Sequence, residues 1–158
     1  MEIQLKKSDI LEIGIKDAKG NPTGEYLTFD FGDTSLPLKY QQMVEDYQKN
    51  RVYVQNQFRI IDKKQDHKGK KLLSANEEAK IKVLNEFYKK QMEVYDKFLG
   101  KDGCKKLLNG RSPYWEMFED INECIEPIVP KMYEAIDNMK ARIMGKYKTK
   151  KDEGETLE

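Results

Sequence analysis

Few side chains in this chain could do chemistry, and their spacing argues against most of it. The single histidine, His67, lies in a polar stretch with Asp62 and Asp66 close by. A metal site needs several His, Cys or carboxylate donors at ligand spacing, and no Cys or second His stands near it. His67 therefore reads as a solvated loop residue. Cys104 and Cys124 are the only cysteines, too few and too far apart for a disulfide framework or a metal knuckle. They read as reduced thiols. Glu119, Glu123 and Glu126 recur three or four apart, on one helix face. The Glu-x-x-His of a di-iron bundle is absent, so they read as a solvated acidic face. Gly100-Lys101-Asp102-Gly103 lacks the Gly-Lys-Ser/Thr that holds phosphate. No run of acidic ligands follows Asp102 to build a calcium loop. The expectation is a protein that is not an enzyme, with no catalytic residues, no cofactor and no metal.

Composition narrows the partners. Of 158 residues, 38% are hydrophobic and 36% are charged, a balance that suits exposed helices. Lys plus Arg number 29 and Asp plus Glu 28, so no global field favours nucleic acid. Lys63, Lys64, Lys68, Lys70 and Lys71 could touch phosphate, but only in a salt-sensitive, nonspecific way. No apolar run reaches the length of a membrane span, and the N-terminus lacks the apolar core of a signal peptide. The reading is of a cytoplasmic protein with neither a membrane nor a nucleic-acid partner.

The elements follow from apolar spacing. Leu11, Ile13 and Ile15 alternate with polar residues, as do Leu27, Phe29 and Phe31, which predicts a β-hairpin over 9–31. The turn formers of 17–24 give it a long loop. Ile3 and Leu5 could add a short strand. A lone hairpin must bury its apolar face on helices or on another subunit, and its edges invite pairing between copies. Self-association is therefore expected.

A helix is predicted near 36–63, capped by Ser35 or Asp33 with Pro37 in its first turn. Its stripe is Tyr40, Met43, Val44, Tyr47, Val54, Phe58 and Ile61, interrupted by Arg51. Residues 62–74 read as a mobile loop. Ser74-Ala75-Asn76-Glu77 has the form of a capping box and opens a helix over 75–99. Ile81, Leu84, Tyr88, Gln91 or Met92, Tyr95 and Leu99 form its ridge, widened by Phe87, Val94 and Phe98. Gly100 ends it. A short helix near 102–108 closes at Asn109-Gly110. The longest apolar periodicity runs over 113–144, with Ser112 as cap and Pro113 in the first position. Pro127 and Pro130 predict a kink or break near 124–126. The fold class is α+β, mainly α, in one domain over 1–145. Residues 146–158 read as a disordered charged tail ending in a possible tag remnant, Leu157-Glu158.

This order of elements resembles the tail assembly chaperones of long-tailed phages and prophages of Gram-positive bacteria. The matching residues are Thr28-Phe29-Asp30-Phe31-Gly32-Asp33-Thr34-Ser35-Leu36, and Val94-Tyr95-Asp96-Lys97-Phe98-Leu99-Gly100-Lys101-Asp102-Gly103-Cys104-Lys105-Lys106-Leu107-Leu108. Tyr114-Trp115-Glu116-Met117-Phe118-Glu119-Asp120-Ile121 continues the match. The chain departs from the family at Asp102, in its long 62–74 loop and in the prolines of its last helix.

The resemblance implies binding without catalysis. Its expected partner is the tape-measure protein, kept soluble while the tail tube assembles, with the tail tube protein as a second candidate. The setting would be the host cytoplasm, and the protein would be absent from the mature virion. Tyr88, Tyr95, Phe98, Tyr114, Trp115 and Phe118 are the residues expected to meet a partner. Tyr and Met at helical spacing serve a core as readily as an interface, and the sequence leaves that open. The alternatives are a structural adaptor of the virion and a helical regulator.

Overall fold

The computed structural model describes residues 1–5 and 9–145. The tail expected over 146–158 lies outside the described residues. An antiparallel hairpin opens the fold, β1 (Ile10–Lys16) with β2 (Pro22–Asp30). Then come α1 (Leu36–Asp62), α2 (Ala75–Leu99), α3 (Gly103–Leu108), α4 (Met117–Ile125) and α5 (Val129–Ile143). A 3-10 turn over Glu126–Ile128 separates the last two. The architecture is α+β and mainly α, as the periodicities predict.

In the hairpin, Leu11 pairs with Phe29 and Ile13 with Leu27. Ile15, Leu27 and Phe29 face the helices and are buried. The turn is tighter than expected. The Asp17 carboxylate accepts from the Lys19 and Asn21 amides, both at 2.9 Å. The Thr23 hydroxyl donates to the Ile15 carbonyl, and the register shifts between Gly14 and Lys16. A bulge with Gly24 at φ +83° lets β2 start at Pro22, inside the stretch expected to be loop. Met1 to Leu5 form no strand, and Ile3 and Leu5 are exposed.

Asp33 starts α1. Its carboxylate accepts from both the amide and the hydroxyl of Ser35, at 2.9 and 2.6 Å. Ser35 occupies the N-cap position, yet its hydroxyl makes no capping bond to the helix. The Ser35 bonds also hold the Asp33 carboxyl below the usual carboxylate range. The capping box at Ser74 and Glu77 forms as expected. Helices α1 and α2 are antiparallel: Asp62 pairs with Lys80 near one end, and Tyr40 meets Phe98 at the other. Their connection is exposed but hydrogen-bonded to α2. The His67 carbonyl accepts from the Ala75 amide at 2.9 Å, and the Asp66 carboxylate from Asn76 at 2.9 Å.

The buried face of α2 is rotated from the expected ridge. Phe87, Gln91, Tyr95 and Phe98 are its centre, whereas Ile81 is exposed. In the first turn of the short α3, Cys104 donates its amide to the Asp96 carboxylate at 2.9 Å, so α2 supplies the cap. Asn109, with φ +48°, closes it.

The last segment differs most. Ser112 and Pro113 do not open a helix; α4 begins at Met117. Residues 111–116 instead cross from α3 to α4. On the way Trp115 stacks beside Phe87, centroids 5.2 Å apart, and the Tyr114 hydroxyl donates to Asp120 at 2.8 Å. The break falls at Glu126–Ile128, just past the expected position. Pro127 and Pro130 occupy first turns, where a missing N–H costs least. Among the described residues, no helix is long and apolar enough to cross a membrane.

Candidate partner-binding surface

The aromatic residues expected to meet a partner divide by burial. Tyr95, Phe98 and Phe118 are buried, at 0%, 3% and 0% exposure. They form the core's aromatic centre: Tyr95 and Phe118 centroids lie 4.8 Å apart, and Phe98 sits 5.3 Å from Phe29. A side chain that fills the core cannot also grip a partner in this conformation. In this structure those three side chains belong to the core cluster. Tyr88, Tyr114 and Trp115 are half-buried and packed against the core.

A polar cluster lines the seam between α1, α2 and α4. Arg51, which interrupts the α1 stripe, donates to Glu119 at 2.8 Å. Its guanidinium lies 5.8 Å from the Trp115 ring centroid and 6.0 Å from that of Tyr47, within cation–π range. The Tyr47 hydroxyl donates to the same Glu119 carboxylate at 3.2 Å. Glu119 is thus an interhelical anchor, not a member of a purely solvated acidic face. Nearby, the Asn50 amide donates to buried Gln91 at 2.8 Å, and Tyr95 to Asn122 at 2.8 Å. These bonds satisfy polar atoms that would be costly to bury alone. Burial, with Glu119 next in effect, pushes the Tyr47 phenol up to about 12.

No group of three His, Cys, Asp or Glu side chains capable of holding a metal occurs among the described residues. Cys104 is buried and Cys124 exposed, both as free thiols. Burial pushes the Cys104 thiol up, away from the thiolate that reacts.

The open apolar surface lies elsewhere, along α5. Only Met132 of that helix is fully buried. Between α5 and α1 runs a groove of about 450 Å³, lined by Tyr40, Val44, Val129, Met132, Tyr133 and Ile136, with Pro37, Gln41 and Glu45 completing it. The aromatic motifs around 95 and 115 did not point here. The usable signals were Tyr40 and Tyr133 at helical margins and the proline pair that sets α5 apart.

No protein-family model matches the chain, and no curated protein or solved structure is similar to it at a significant level.

Proposed function

We propose that this protein is a holding chaperone of phage tail assembly, which binds the apolar helices of a tape-measure protein and releases them as the tube closes. The α1–α5 groove carries the reading. It joins half-buried Tyr40, Val44, Val129 and Ile136 to Tyr133, which is 66% exposed. Monomers seldom leave contiguous apolar grooves open without a partner for them. Tyrosine and methionine suit a changing client, because one is amphipathic and the other is flexible. Weak contacts repeated by many copies along one long client give useful retention and easy displacement.

Co-expression with the tape-measure protein of a Gram-positive phage tests this. The chaperone reading expects the client to become soluble, a complex to co-purify, and this chain to be missing from finished virions. A client that stays insoluble and unbound contradicts the reading. Recovery of the chain from mature particles favours a structural adaptor instead.

A further inference from the structure

We infer that the α1–α5 groove takes one amphipathic helix whose apolar ridge is bordered by Lys or Arg. This rests on the chaperone reading for its biology, but its argument is geometric and electrostatic. On α1 the groove is lined at Pro37, Tyr40 and Val44; on α5, at Val129, Met132 and Ile136. Each set steps by three or four residues and covers about two helical turns, roughly 10–11 Å at about 1.5 Å per residue. Two helices side by side leave a furrow that a third helix fills with anchors at i, i+3 or i+4, and i+7. Such an occupant would turn this pair into a three-helix unit.

The rim selects the charge. Glu45 lines the groove. The Glu126 carboxylate is near enough to push the Tyr40 phenol up, after burial, the larger cause. Neither glutamate is engaged in an ion pair with another described residue. Lys49, one turn past Glu45 on α1, lies beyond the groove lining. An occupant with cations beside its ridge would meet both carboxylates at the apolar margin, whereas an acidic one would be repelled. The phenols of Tyr40 and Tyr133 add hydroxyls at the same margin.

Two synthetic helical peptides of about 20 residues, alike in their Leu ridge but flanked by Lys or by Glu, are titrated against the full chain by fluorescence anisotropy. The Lys-flanked peptide should bind about tenfold tighter at low salt, and the margin should shrink as salt is added. Glu45→Gln with Glu126→Gln should bring the two peptides within about twofold of each other. Val44→Lys with Ile136→Lys should abolish binding, and Tyr133→Lys, at a groove position that is 66% exposed, should weaken it while circular dichroism and melting stay near wild type. Equal affinity for the two peptides overturns the inference. So does binding that survives Val44→Lys with Ile136→Lys. If neither peptide binds and those substitutions instead lower the oligomer mass, the groove belongs to a second copy and the inference is overturned. A tape-measure complex indifferent to these substitutions would refute the groove assignment and leave the chaperone reading standing. Peptide binding without client rescue would do the reverse.

Discussion

A Cβ placed on Gly103 would stand 2.6 Å from the Cβ of Leu99, with a Leu27 methyl 3.6 Å away. Leu99 ends α2, Gly103 begins α3, and Leu27 belongs to the hairpin, so one hydrogen atom marks the point where three elements meet. Gly103→Ala should force Leu99 or the α3 backbone aside and destabilise the fold by about 1–3 kcal/mol. Gly69→Ala, with open space around it and no positive φ, should stay within about 0.5 kcal/mol of wild type. Urea melts of the two variants check the contrast.

Alkaline pH should loosen the α1–α2–α4 seam. Tyr47 has its phenol raised from 10.0 to about 12, and burial also raises Tyr95. A pKa higher in the folded state than in the unfolded state gives stability that is complete below about pH 10. Above it, the unfolded chain releases these protons first, so stability falls towards pH 12. The urea midpoint should hold steady up to about pH 9 and then drop. Tyr47→Phe should be less stable at neutral pH, having lost its bond to Glu119, but should show a shallower alkaline decline.

The two thiols should react very differently. Cys104 is fully buried with its thiol raised, and Cys124 is exposed. A thiol reagent at mildly alkaline pH should modify Cys124 quickly and spare Cys104 until urea is added. Rapid labelling of both in the native protein would mean that α3 opens readily. Mass spectrometry of the labelled peptides distinguishes the cases.

The hairpin predicts concentration-dependent association. The Phe31 amide donates to the Asp9 carbonyl, so alternate pairs towards the turn point the Glu12 and Thr28 amides outward, away from the partner strand. Such edges recruit further strands. Light scattering should show mass rising with concentration, and Glu12→Pro should reduce that rise by removing an outward N–H at little cost to the hairpin. A strict monomer at high concentration would contradict this.

Local signals carried most of the fold. Alternation at Leu11, Ile13 and Ile15, the capping box at Ser74, Asn109-Gly110 and the paired prolines act over a few residues, so their consequences are legible in one dimension. What the sequence hid depends on tertiary contacts. Ser112 and Pro113 look like a helix start, but Trp115 is needed against Phe87 and under Arg51, which keeps residues 111–116 out of a helix. The stripe of α2 is wide enough to face the core in more than one rotation, and pairing Asn50 with Gln91 settles the choice between Gln91 and Met92 that periodicity left open. The partner surface was the least legible part. Tyr95, Phe98 and Phe118 belong to the same residue classes as interface aromatics, and only packing tells them apart. The groove needs α1 and α5 side by side, some ninety positions apart, and no local pattern announces that.

The central claim is that the open α1–α5 groove shields apolar helices of another protein. Aggregation of a purified tape-measure segment, followed by light scattering after dilution from denaturant, tests it most directly. The account predicts that the wild-type chain, at about equimolar amounts for each bound segment, suppresses the scattering, and that Val44→Lys with Ile136→Lys abolishes the protection. Scattering that rises unchanged in the presence of the folded wild-type chain would contradict it.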